Sequence, residues 1–154
     1  MSDTGNLVLL DWLTCGRIAR GEKWAFSSFK NCLQINVKGE LLYKDTTHLQ
    51  DVPGLTVQQS MREYQVMGTC IILGKKMKEL SNNLYKLYSK PKKFGESVTK
   101  DVICTVSMIQ KGGMCGIYLR FLATDTAKAY TVLKEIVNPL IPTLGSDPFQ
   151  NKYG

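Results

Sequence analysis

A chain of 154 residues, 44% hydrophobic and 21% charged, has the size and composition of one globular domain with an ordinary core, and a single domain over 1–154 is expected. No run approaches the ~20 apolar residues of a membrane-crossing helix, and the start, MSDTGNLVLLDWL, lacks a basic segment and is interrupted by Asp11, so no signal peptide and no membrane contact are expected and a cytoplasmic location is. The net charge of +7 is concentrated between Lys75 and Lys100, where eight lysines face only Glu79 and Glu96, a stretch suited to an acidic protein or to nucleic acid.

In chain order, Leu7 to Leu10 is a short apolar run with the pattern of a buried strand. The stretch after it, DWLTCGRIARGEKWAF at 11–26, admits three readings. As a phosphate loop it has the right gap between Gly16 and Gly21. Glu22 and Lys23 then stand where such a loop places Lys and Ser or Thr, and a carboxylate there repels phosphate. As a catalytic centre it offers Cys15, whose base would have to be His48, the one histidine of the chain. Asp11 and Glu22 show no arrangement that would separate their pKa values as a glycosidase requires. As a structural corner it is simpler. Gly16 and Gly21 turn the chain, Arg17 or Arg20 pairs with Asp11 or Glu22, and Trp12 and Trp24 pack on either side.

Leu33, Ile35 and Val37 then alternate with polar residues as in a half-buried strand. Lys38-Gly39 reads as a tight turn and 40–45 as the return strand. Residues 46–62 read as a loop around Pro53-Gly54. Tyr64 to Leu73 is a second buried strand ended by Gly74. From Lys75 the period changes: Met77, Leu80, Leu84, Leu87 and Tyr88 form one apolar stripe of a helix whose other face carries Lys75, Lys76, Lys78 and Lys86. SKPKKFGES at 89–97 reads as an exposed connection. Two alternating runs, 102–109 and 115–122, flank Gly112-Gly113 and predict a hairpin. Asp125 is placed to cap a last helix with an apolar stripe at Ala129, Val132, Leu133, Ile136, Val137 and Leu140, ended by Pro139 and Pro142.

The order predicts a mainly β, α+β chain: antiparallel sheets with two amphipathic helices rather than a βαβ array. The five cysteines, Cys15, Cys32, Cys70, Cys104 and Cys115, are dispersed without a CxxC pair, as expected of reduced thiols rather than a disulfide framework or zinc site. The lysine face has Tyr85, Tyr88 and Phe94 near it but no arginine, which disfavours nucleic acid.

These residues together resemble the urease accessory protein D family, called UreH in some bacteria. The resemblance rests on D-W-x-x-x-G-R-x-A-R-G-E-x-W-x-F at 11–26, the LQINVKGELLYKDTTHL hairpin, the Gly68-Thr69 strand, Arg120 in its strand, the closing helix, and the short tail from Gly145. The family's proteins are longer, and the chain resembles their C-terminal half; its ending, Pro148 to Tyr153, departs from the family's. The resemblance implies stacked sheets in a β-helix-like arrangement. It implies a non-enzymatic scaffold that binds a UreF-type partner, which recruits a UreG-type GTPase, in a complex delivering nickel to apo-urease. Nickel would be handled transiently. The resemblance places no ligand for it, leaving His48, with Cys15, Asp11 and Glu22, as candidates for weak contact.

Overall fold

The computed structural model describes residues 1, 4–89 and 101–150. Among the described residues there are six strands: β1 (Leu7–Thr14), β2 (Ser28–Val37), β3 (Glu40–Gln50), β4 (Val66–Leu73), β5 (Val102–Lys111) and β6 (Met114–Ala123). The helices are α1 (Val57–Met61), α2 (Lys78–Tyr88), α3 (Thr126–Val137) and α4 (Ile141–Leu144). Strands β1-β4-β6-β5 make one antiparallel sheet in that order, and β2-β3 make a separate hairpin. The chain is mostly β, as its alternating runs predict. Residues 90–97 of the expected connection, and Lys90, Lys92, Lys93 and Lys100, lie outside the described residues.

Strand alternation builds three layers. Cys70 and Ile72 of β4 and Ile117, Leu119 and Phe121 of β6 face one way, onto Met77, Leu84, Ala129, Leu133 and Ile136 of the helical layer. Ile71 and Leu73 face the other way, with Ile109 and Met114, onto Ile35, Leu33, Leu42 and Tyr43 of the hairpin. The central strands β4 and β6 are therefore apolar on both faces, as a doubly covered strand must be. Gly68 sits opposite Phe121 in the ladder, and a Cβ there would intrude on the Phe121 ring. The glycine lets the aromatic lie across the neighbouring strand.

Both hairpins close through two residues with positive φ, Lys38 and Gly39 in one and Gly112 and Gly113 in the other. That backbone has the twist flanking strands require. The Asp125 side chain accepts from the Lys128 N–H and caps α3 as expected.

Three expectations are corrected. Residues 46–62 are not one loop: β3 runs on to Gln50, where Thr46 and Thr47 pair with Cys32 and Asn31, and a short helix follows. Its capping box is reciprocal, Thr56 accepting from the Gln59 N–H and Gln59 accepting from the Thr56 N–H. Leu87 is 56% exposed, because α2 turns Ser81 inward with Met77 and Leu84 and leaves Leu87 at the margin of the stripe. Helix α3 ends at Val137, just before Pro139, as expected, but the two prolines do not stop the helical path of the chain. Each opens a new short turn, 138–140 and then α4, at a first-turn position where an N–H is not needed. Gly145, in the left-handed conformation, finally closes it.

Candidate functional site

Between the hairpin and the sheet the apolar layer gives way to a polar seam. Asp11 of β1, Thr69 of β4, Arg120 of β6 and Thr105 of β5 are cross-strand partners and form one row across the sheet. The hairpin answers from above. The Arg120 guanidinium donates from Nη2 to both carboxylate oxygens of Asp45 at 2.9 and 2.7 Å. Its Nε donates to the Tyr118 hydroxyl at 2.7 Å, and that hydroxyl donates to Asp45 at 3.2 Å. Tyr118 in turn stacks at a tilt on Tyr43, 5.1 Å between ring centres. At the β1 end, the Asn31 amide donates to Asp11 at 3.2 Å. Asp11, Asn31, Thr47, Thr69 and Arg120 border a void of about 20 Å³, room for one water held by several polar groups.

The electrostatics of this seam centre on the Arg120–Asp45 pair. Burial alone would lower the Arg120 pKa, but Tyr118 and Asp45 outweigh it and the net shift is upward. Burial, then the neighbouring Tyr118, pushes the Tyr43 hydroxyl up. The seam thus holds a cation with its counter-ion Asp45, a second carboxylate in Asp11, and the phenols of Tyr43 and Tyr118. It has no nucleophile set against a base. Chemically it can fix one layer on another and order water between them.

The 15–24 stretch is a corner, and it is separate from the seam. Gly16 has φ 119° and Gly21 φ 73°, both in the region that favours glycine. Across this turn Arg17 donates to Glu22 through Nε and Nη2 at 2.8 and 2.9 Å. The pair is well exposed, so it directs the loop more than it stabilises it. Trp24 is buried with Cys15, Val57 and Met61, and its indole donates to the Tyr64 carbonyl at 2.9 Å. Its φ of 53° is unfavourable for a bulky residue, and this packing holds it there. Asp11 is not part of the corner: β1 extends to Thr14 and carries it onto the seam. Trp12, on β1, packs toward the helical layer, away from Trp24.

The UreD urease accessory protein family model matches residues 1–152. The chain belongs to that family. Urease accessory protein D of Arabidopsis thaliana is 29% identical over an alignment covering 97% of this chain and 56% of the relative. That of Oryza sativa subsp. indica is 28% identical, covering 94% and 53%. Urease accessory protein UreD of Sorangium cellulosum is 26% identical, covering 99% and 46%. The chain spans about half the length of the curated relatives it matches.

The remaining candidates of this UreD-family chain are dispersed. His48 is exposed on β3, with Ser28 Oγ 3.2 Å from its Nε2, while Cys15 is buried beneath the corner. Among the described residues no three His, Cys, Asp or Glu side chains gather as metal ligands. Burial raises the Cys70 thiol to about 12 and the Cys104 thiol to about 11, so both stay protonated. Lys75, Lys76, Lys78 and Lys86 are exposed on and before α2. No described helix is long and apolar enough to cross a membrane. The Arg120–Asp45 clasp gave no local signal in the sequence, because its members are 75 residues apart.

Proposed function

We propose that this chain serves urease maturation as a scaffold without turnover of its own, working in the cytoplasm with UreF-type and UreG-type accessory proteins and apo-urease. Nickel is its cargo, passed on rather than retained. The match to the UreD family over residues 1–152 carries the reading. The seam supports it, since a guanidinium already clasped by a carboxylate and a phenol suits a rigid support better than a reacting centre. In this reading Asp11, Gly16, Arg17, Gly21, Glu22, Arg120 and Gly145 hold the shape that partners recognise. Contacts to nickel are weak and transient, with His48 the candidate ligand.

The test is a pull-down of the tagged chain against UreF-type and UreG-type proteins, with and without nickel. Retention of the UreF-type protein at moderate salt, and of the UreG-type protein only in its presence, is the expected result. Failure to retain the UreF-type protein would remove the reading. A second reading is favoured by the exposed lysines of α2: a basic surface that binds nucleic acid. A salt-sensitive shift of a labelled oligonucleotide, abolished by changing Lys75, Lys76, Lys78 and Lys86 to glutamate, would select it instead.

A further inference from the structure

Helix α2 carries its charge where the fold gains nothing from it. Lys75, Lys76, Lys78 and Lys86 are exposed, and none of them lies in an ion pair among the described residues. Glu79 is the one acidic residue from Gly74 to Tyr88. Three of the lysines stand in or just before the first turn of α2, the end of a helix whose partial positive charge disfavours cations. Met77, at the N-cap, supplies no side-chain acceptor there. Asn6 holds the preceding turn from outside, its Oδ1 accepting from the Lys76 N–H at 3.0 Å. The lysines therefore cost the helix stability, and carboxylates brought by a partner would remove that cost.

The outer face of α2 is ordered as well as basic. Steps of four line up Lys78, Asn82 and Lys86, all exposed, on the side away from the buried Ser81 and Leu84. Tyr85 and Leu87, 38% and 56% exposed, stand on the two flanks of this row. From Lys75 to Lys86 the surface runs roughly 17 Å, about three turns of an opposing helix. Nucleic acid fits it less well. No arginine is present to grip phosphate with a planar fork. Tyr85 is the one exposed aromatic of α2 and offers a single stacking platform, and Leu87 offers a phosphate backbone nothing.

We infer that α2 docks an acidic, partly apolar segment of a partner protein. Carboxylates of that segment lie along Lys75, Lys78 and Lys86, and its apolar side chains cover Leu87 and the Tyr85 ring. Charge complementarity sets the approach and the register, and the apolar flanks set the choice of protein over nucleic acid. The inference goes beyond the maturation role and does not rest on it, because the partner is defined by its chemistry alone.

The probe is a fluorescein-labelled peptide of repeating Glu-Leu-Glu-Glu units, titrated with the full chain and followed by anisotropy. An oligonucleotide of equal charge is titrated in parallel. The expected result is binding of the peptide that weakens by about tenfold or more from low to moderate salt, with slower amide exchange along 78–88 in the complex. Changing the four lysines together (Lys75→Gln, Lys76→Gln, Lys78→Gln and Lys86→Gln) should weaken it by about tenfold or more at an unchanged or raised melting temperature. Lys30→Gln with Lys44→Gln, on the exposed face of the hairpin, should leave it as it is. Leu87→Ser should weaken the peptide by about threefold and the oligonucleotide not at all. Absence of peptide binding overturns the proposal, as does an equal loss in the hairpin variant. Tighter binding of the oligonucleotide than of the peptide overturns it in favour of nucleic acid.

Discussion

At the scale of single residues, the clasp between Arg120 and Asp45 is the feature with the largest consequence. Arg120 keeps about a third of its side-chain surface and Asp45 a fifth (38% and 20%), so solvent screens the pair in part. Arg120→Ala would leave Asp45 half-desolvated and strip the Tyr118 hydroxyl of a donor. A loss of about 2 kcal/mol in denaturant unfolding is expected, in the range for hydrogen bonds to charged groups. Asp45→Asn should cost less, since the amide still accepts from Arg120. A loss for Arg120→Ala no larger than an exposed substitution gives would show that the clasp contributes little. The thiols make a second residue-level prediction. Cys32 is exposed, whereas Cys70 is fully buried and its thiol is raised by burial to about 12. Iodoacetamide at pH 8 should therefore modify Cys32 first and leave Cys70 unmodified until the chain unfolds, as peptide mass mapping over time would register.

At the scale of elements, helix α3 depends on its cap. The Lys128 N–H bonding to Asp125 lowers that carboxyl below its ordinary 3.8. A carboxyl with a depressed folded pKa contributes fully above its unfolded value and loses the contribution as pH falls through the folded one. The cap should therefore hold at neutral pH and fail below about pH 4, the unfolded value setting the upper end of the window. Asp125→Asn should keep the cap and flatten the acid dependence of the melting temperature over that window, whereas Asp125→Ala should lower the melting temperature at neutral pH. An unchanged acid slope in the Asn variant would assign the acid sensitivity to other carboxylates. Helix α2 offers the opposite case. Ser81 is 2% exposed and its Oγ finds no hydrogen-bond partner among the described residues. Ser81→Ala removes an unpaired buried hydroxyl and improves helix propensity, so a gain of about 1 kcal/mol is expected in chemical unfolding.

Most elements were legible because their signals are local. Lys38-Gly39 and Gly112-Gly113 declare their turns, Asp125 declares its cap, and the change of period after Gly74 declares α2. The 46–62 stretch was harder. Thr46 to Gln50 have strand character only against their partners in β2, and the capping box at Thr56 and Gln59 marks a helix too short to show a stripe. Corner and seam differ in the same way. Arg17 and Glu22 are close in sequence, so their pairing could be read along with its alternatives. Asp45 stands in the return strand as an ordinary polar residue, and nothing near it in sequence names Arg120.

At the scale of the whole molecule, the layers are unequal in what they bury. The central strands and the helical layer form a closed core, from Val66 and Cys70 through Phe121 to Leu133 and Ile136. The hairpin adds a smaller apolar contact around Ile35 and the polar seam. Strand β1 lies at the boundary, joined to both but enclosed by neither. An apolar strand with an open edge is a template for pairing with another chain, so the isolated protein should associate as concentration rises unless the edge is occupied. Thr14→Lys tests this with little cost to folding, because Thr14 is exposed and ends the strand. The lysine would put a charge beside the edge without entering the core. Sedimentation velocity across a concentration series should show less association in the Thr14→Lys variant at an unchanged melting temperature. If wild type and variant associate equally, the contact lies elsewhere, and the exposed apolar residues of α2, Tyr85 and Leu87, become the surface to change next.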